Sequence, residues 1–222
     1  MPVVLPAASG RPVRSFIAIV LADPARSAVE AYLAQLRGTI SGVAWTPSEN
    51  LHLTLKFLGD VMPVRLESLA ARMAKIAAEQ PPLALTVAEV GAFPSLRRPR
   101  VLWIGAVAPG VGPLASAVDW ACAAEGFAPE TRPFHPHLTL GRVRQTRGTR
   151  RRRPSPRRGA PGESRDRPAD PTLALAALDR DRERVFGVSP ADALVLFRSE
   201  LGPAGAHHTC LARWPFLEDP GG

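Results

Sequence analysis

Apolar residues fall along this chain in short runs whose period switches between that of a strand and that of a helix. Residues 16–21 (FIAIVL) form a continuous apolar run of strand length that ends at Asp23-Pro24. Segment 24–37 (PARSAVEAYLAQLR) then spaces its apolar residues three and four apart, as an amphipathic helix does. Asp23 stands at its N-cap, Pro24 at its first position, and Gly38 stops it. After a loop at Trp45-Thr46-Pro47, residues 51–58 alternate as a strand, and Gly59-Asp60 reads as the turn into a helix over 64–79 with Leu66, Leu69, Met73 and Ile76 on one stripe. Pro81-Pro82 ends that helix. Strands are predicted over 83–90 and 101–107, joined by the basic loop PSLRRPR, then a helix over 114–124 ending before Gly126 and a strand over 134–143. A helix over 173–182 and strands over 193–199 and 209–216 complete the pattern. Strands and helices are mixed throughout, with neither a Gly-rich phosphate loop nor a dinucleotide fingerprint, which points to an α+β architecture of two lobes facing one another.

A length of 222 residues, 45% of them apolar, is enough for one generous domain or two small lobes sharing a core. The expectation is one bilobal domain over 1–222. No apolar run approaches the ~20 residues of a membrane span, and the first apolar stretches lack a preceding basic region, so 16–21 is read as a buried strand and not a signal peptide. Cys122 and Cys210 are too few and too far apart for a disulfide framework; a reducing cytoplasm is the expected compartment. The net charge of +8 has a single origin. Residues 144–167 hold ten arginines against Glu163 and Asp166, so the rest of the chain is electrically balanced. Segment 144–170, rich in Arg, Pro, Gly and Ser, is read as a disordered insertion within the domain. Its charge would also serve to concentrate a phosphate backbone nearby.

The candidate chemistry lies in a doublet. The string His-Leu-Thr-Leu occurs at 52–55 and again at 137–140, in a chain with only five histidines. On a strand, residues two apart share a face, so His52 projects with Thr54 and His137 with Thr139, while Leu53, Leu55, Phe57, Leu138 and Leu140 face the core. A hydroxyl beside an imidazole suits a phosphate: the hydroxyl donates to a non-bridging oxygen and the imidazole moves a proton. Two such pairs across a cleft give in-line displacement at phosphorus its base and its acid.

With these motifs on the page, the chain resembles the 2H phosphoesterases, and within them the RNA 2′,3′-cyclic phosphodiesterase branch formerly called 2′-5′ RNA ligase. The resemblance rests on HLTLKFLGD at 52–60 and FHPHLTLGR at 134–142, supported by RSFIAI at 14–19, RPRVLWIG at 98–105 and LFRSEL at 196–201. It implies a bilobal α+β fold of two antiparallel-sheet lobes with helices outside and a central cleft, no metal or other cofactor, and opening of an RNA-terminal 2′,3′-cyclic phosphate to a 2′-phosphate. By the same resemblance His52 is the proton donor, His137 the proton acceptor, and Thr54 and Thr139 hold the phosphate oxygens. The implied partner is RNA carrying a cyclic phosphate end, tRNA fragments being one source, with neither a membrane nor an obligate protein partner; the chain is expected to act as a monomer.

Four further residues are candidates for binding substrate. Lys56 shares the parity of His52 and Thr54. Arg142 reaches the cleft if Gly141 permits a bulge. Phe134 offers a ring on which a terminal base can stack. Arg14, with Arg97, Arg98 and Arg100, can line the approach of RNA. His135 next to His137 has no carboxylate or cysteine cluster with which to make a metal site, and His208 is read as structural. Two alternatives share these features: cleavage or ligation of 2′-5′ phosphodiesters by the same four residues, and a non-catalytic RNA-binding module that relies on the Arg-rich segment.

Overall fold

The computed structural model describes residues 10–144, 176, 178–202 and 205–217. The Arg-rich segment from residue 145 onward lies outside the described residues, as do 173–175 and 177 of the helix expected over 173–182; residues 178–180 of it are helical and 181–182 form a turn. Within them the apolar stripes become buried faces. Helix α1 (Ala25–Thr39) buries Ala25, Val29, Tyr32, Leu33 and Leu36, and Asp23 Oδ1 accepts the Ser27 N–H near its start at 3.2 Å. Helix α2 (Pro63–Glu79) buries Leu66, Leu69, Met73 and Ala77, and α3 (Val111–Ala124) buries Leu114, Ala115, Val118 and Cys122.

The strands are β1 (Val13–Val20), β2 (Val43–Trp45), β3 (His52–Val61), β4 (Leu83–Phe93), β5 (Val101–Val107), β6 (His137–Val143), β7 (Val185–Ala191), β8 (Ala193–Gly202) and β9 (Gly205–Pro215). They form one antiparallel sheet in the order β7-β4-β5-β6-β3-β1-β8-β9, with β2 added against β6. The two lobes expected from the sequence are the halves of this single sheet, and they meet where Leu53 of β3 pairs with Leu138 of β6. The helices cross between the halves: α1, which follows β1, packs on β7, whereas α3, which follows β5, packs on β3. Neither half can therefore close its own core. Ile17, Ile19, Leu53, Leu55, Leu102, Ile104, Leu138 and Leu140 supply the sheet's side of that core, each at most 5% exposed.

Two strands escape a reading of periodicity. β2 is only three residues long. β7 contains Gly187 and Pro190, which disguise it, yet it lies at the sheet edge, where a missing N–H breaks no ladder. Gly59-Asp60 does not turn the chain. β3 continues through it to Val61, and Gly59, at φ 72°, absorbs an irregularity between the pairs Phe16↔Phe57 and Ser15↔Gly59.

A second irregularity in β3 overturns one expectation about the cleft. Ala18 pairs with Thr54 and Ile17 with Lys56, so Leu55 is an extra residue on β3. The bulge resets the alternation, and Leu55 and Lys56 both turn inward. Lys56 is 3% exposed, and its Nζ donates to Asp119 Oδ1 (2.6 Å), the Ala128 carbonyl oxygen (2.6 Å) and Glu130 Oε1 (3.2 Å). Burial disfavours its charge, but the two carboxylates outweigh burial and hold its pKa above the usual lysine value. Lys56 is thus a tie from β3 to α3 and the 128–130 segment, not a group that meets substrate.

Removing that tie strands Asp119, whose side chain is only 15% exposed. Lys56→Ala should cost about 3 kcal/mol in chemical denaturation, in the range for losing one partner of a buried pair. A cost below about 1 kcal/mol would show that the network carries no stability.

Candidate active site

Each motif histidine opens its strand, and each is anchored in the same way. His52 Nδ1 donates to the carbonyl oxygen of Asn50 at 2.7 Å, and His137 Nδ1 donates to that of His135 at 2.6 Å. Both bonds run to the residue two positions back. A carbonyl oxygen only accepts, so the proton sits on Nδ1 in both rings and Nε2 is left as the nitrogen that titrates. Asn50 closes the short helical turn Ser48–Asn50, is 8% exposed, and donates through Nδ2 to the Ala206 carbonyl oxygen at 2.7 Å. The anchor of His52 is in this way fastened to β9.

The Leu53↔Leu138 pair sets the mutual placement. With the strands antiparallel, His52 lies across from Thr139 and Thr54 across from His137, all four on the face opposite the core. The threonines are half-buried and backed by Ala18 and Trp103, their partners on the neighbouring strands.

The bulge of β3 recurs in β6. Trp103 pairs with Thr139 but Leu102 with Gly141, so Leu140 is the extra residue. Leu140 and Gly141 both turn inward; a Cβ on Gly141 would lie 2.7 Å from Val43 Cγ1, so β2 can cross closely only at a glycine. Arg142 consequently emerges on the face of Thr139, as the sequence allowed. The matching position of β3 is Phe57, which was expected in the core and is instead 59% exposed. Arg14 is exposed at the start of β1, paired in the ladder with Asp60. Phe134 is 37% exposed in the segment leading into β6.

Aromatic rings wall the imidazoles. Phe16 stacks on His52 (centroids 4.7 Å apart, 26° between planes) and on Phe197 (5.3 Å), and His208 meets His52 edge-on at 5.3 Å. On the other side Phe93 meets His137 edge-on at 5.0 Å, and His135 lies against Trp103 at 4.8 Å and Phe93 at 5.1 Å. Such contacts are worth about 0.5–1.5 kcal/mol each beyond the area they bury, and here they lock ring orientation. His208, read from the sequence as structural, belongs to this wall; its Nδ1 is sealed from solvent without a hydrogen-bond partner among the described residues. The one signal that would have found it is its rarity: four of the five histidines gather here.

Burial dominates the electrostatics. It pushes the pKa of His52 down to about 4, against a partial rise from the Asn50 carbonyl, with His208 and His137 adding to the fall. Burial also lowers that of His137, where the His135 carbonyl opposes it and His135 and Arg142 reinforce it. Both imidazoles are therefore neutral near pH 7, and Nε2 of each is a free base. Among the described residues, no three His, Cys, Asp or Glu side chains gather as a metal site would require. No helix among them is long and apolar enough to cross a membrane.

Comparison with known proteins places this arrangement. The family described as LigT like phosphoesterase matches residues 22–103 and 105–155. An RNA 2′,3′-cyclic phosphodiesterase of Methanothermobacter thermautotrophicus is 32% identical over 198 residues, 89% of this chain and 95% of that protein. One of Geobacillus stearothermophilus is 34% identical over 128 residues, which are 57% of this chain and only 41% of that relative's length. Among solved structures, Escherichia coli LigT complexed with 3′-AMP superposes with a TM-score of 0.66 at 25% identity, over 93% of this chain and 99% of that one. A curved antiparallel sheet with a His-Leu-Thr motif on each of its two central strands, matched across the chain in this way, makes it a member of the LigT-like phosphoesterase family.

Proposed function

We propose that this chain hydrolyses RNA-terminal 2′,3′-cyclic phosphates to 2′-phosphates by two-histidine acid/base catalysis without a metal ion. The observation that carries the proposal is the paired anchoring of His52 and His137. Each ring is held in the same tautomer by a carbonyl two residues back, and the Nε2 atoms are left to act from two central strands on one phosphate. The names of the relatives, RNA 2′,3′-cyclic phosphodiesterases, support the substrate class.

In this mechanism His137 Nε2 takes a proton from water as its oxygen attacks phosphorus. The bond to the ribose 3′-oxygen breaks, and His52, entering the step protonated, delivers a proton to that oxygen. The 2′-ester remains. Thr54 and Thr139 donate hydroxyl hydrogen bonds to the non-bridging oxygens, where charge accumulates in the transition state, and Arg142 offsets the phosphate charge. The ten arginines between residues 144 and 167 raise the local concentration of RNA.

The direct test is a short RNA with a 2′,3′-cyclic end, incubated with EDTA and resolved for product. A 2′-phosphate is expected, with His52→Ala and His137→Ala each reducing turnover by about 10²–10⁴. A 3′-phosphate would refute the assigned geometry. Full activity in both variants, with RNA affinity lost on deletion of 145–167, would make the chain a binding module.

A pH profile separates free enzyme from complex. The donor must carry a proton, yet burial holds free His52 near a pKa of about 4. A bound phosphate anion stabilises the imidazolium and raises that value. The descending, alkaline limb of kcat, which reports the complex, should therefore lie at higher pH than that of kcat/KM, which reports free enzyme. Coincident limbs would show that substrate charge does not set the donor's protonation.

A further inference from the structure

His208 is an unfavourable choice for its place. It stands among rings: Phe16 edge-on at 4.9 Å, His52 edge-on at 5.3 Å and Phe197 tilted at 6.3 Å. A phenylalanine would line such a wall and leave no polar atom behind. The imidazole instead seals its Nδ1 from solvent with no hydrogen-bond partner among the described residues. An unpaired buried nitrogen is destabilising whether or not it bears a proton. A local rule broken beside a reacting centre points to a use for the group that breaks it.

The sealed nitrogen restricts the ring to one state. Orphaned N–H groups are the rarest of unpaired buried groups, so neutral His208 keeps Nδ1 bare and carries its proton on Nε2. An imidazolium is protonated on both nitrogens. It would force an N–H into a place without an acceptor and set a positive charge beside His52. Burial accordingly holds the His208 pKa below the usual histidine value, and His207 adds to the fall. Among the described residues, the titratable groups that face it are His52 on β3 and His207 on its own strand. β1 offers it the Phe16 ring, and β8 the Phe197 ring and Ser199, its partner in the ladder. Glu200 of β8 is tied to Arg198 at 2.6 Å.

The strand that carries His208 holds His52 twice. The His208 ring packs on the His52 ring. Two residues earlier, the Ala206 carbonyl oxygen accepts from Asn50 Nδ2 at 2.7 Å, and the Asn50 carbonyl oxygen fixes His52 Nδ1. A displacement of the His208 ring is therefore transmitted to the segment that anchors His52. We propose that His208 is a positioning residue for the donor and holds His52 in place only while its own ring is neutral. A proton on His208 drives the ring from the wall, loosens β9 from Asn50 and frees the His52 ring to turn. His208 acts through His52 and takes no part in proton transfer. The inference rests on the reading above only in naming His52 the donor; the clamp is a property of the protein free of substrate.

The test follows the five histidines by NMR in ligand-free protein with isotopically labelled imidazole nitrogens, whose shifts report tautomer and protonation. In mildly alkaline solution His208 should carry its proton on Nε2 and His52 on Nδ1. As pH falls, the Nδ1–H signal of His52 should disappear together with the titration of His208. His208→Phe keeps a ring in the wall that takes no proton, so in it the signal should persist until His52 itself titrates. Loss of the signal at the same pH in both proteins overturns the proposal, as does a neutral His208 with its proton on Nδ1. Turnover of a cyclic phosphate end gives the second readout. Relative to each protein's own plateau, the acid limb of log kcat should have a slope of about 2 in wild type, for protons on His137 and His208, and about 1 in His208→Phe. Equal slopes overturn the clamp. His208→Ala, which lacks the ring, should lower kcat by up to about 10²-fold; a wild-type kcat in that variant overturns it too. Thermal melting checks the fold of each variant. Absence of turnover in wild-type protein counts against the catalytic reading alone, and the NMR titration then decides the clamp.

Discussion

The pairing of β3 with β6 is the constraint on which the rest depends. It is a narrow junction: Leu53 opposite Leu138, in the middle of a nine-stranded sheet. Because side chains alternate, both leucines in the core put both histidines and both threonines on the other face. The antiparallel sense then sets each imidazole beside the other motif's hydroxyl. A slip of one residue would turn the chemistry into the core and the leucines into the cleft, so burial of Leu53 and Leu138, 1% and 0% exposed, enforces the register of the active groups. The crossed helices add to this, since α1 and α3 each pack behind the half of the sheet that did not lead into them. The halves are held together by the core they share, and with them the two imidazoles.

On this junction the fold uses one device twice. Each motif strand starts with a histidine bonded to the carbonyl two residues back, continues through a threonine, and then bulges at the following leucine. The backbones repeat, and the side chains after the bulge do not. Lys56 and Phe57 follow the first, Gly141 and Arg142 the second. Inward, this pairs a lysine held by acidic partners with a glycine over which β2 crosses. Outward, it sets an aromatic ring against a guanidinium. The repetition accounts for the likeness of the two acid/base groups; the differences give the cleft a direction.

The parts legible in sequence are those that strict periodicity encodes. The helical stripes of α1, α2 and α3, the strand character of the motif segments and the shared face of His52 with Thr54 and of His137 with Thr139 all follow from periods of 3.6 and 2. What failed is what interrupts a period. Lys56 and Phe57 were assigned by counting through Leu55, and one extra residue exchanged them. Arg142 was correctly made conditional on a bulge at Gly141, because a glycine advertises one; nothing in Thr-Leu-Lys-Phe does. β7 was hidden by Gly187 and by Pro190, a residue that an edge strand tolerates because its missing N–H breaks no ladder. His208 was hidden because its partners Phe16, Phe197 and His52 come together from three strands, a long-range fact with no local signature.

Desolvation links this architecture to its chemistry. Rings that orient the imidazoles also strip them of water, and burial is the largest influence on both histidines. A site at rest with two neutral imidazoles holds two bases and no acid, whereas the proposed reaction needs one of each. On that proposal the missing proton is taken up from solvent as substrate binds, because its phosphate brings the charge that makes an imidazolium stable in so dry a place. Binding and protonation are then one event, and the cleft becomes competent only around a phosphate anion. The wall around His52 is the more enclosed of the two, with Phe16, Phe197 and His208 against the ring. That enclosure makes His52 the group whose charge depends most on what is bound, which suits the donor role proposed for it, in which the acid forms only when a leaving oxygen is there to receive its proton.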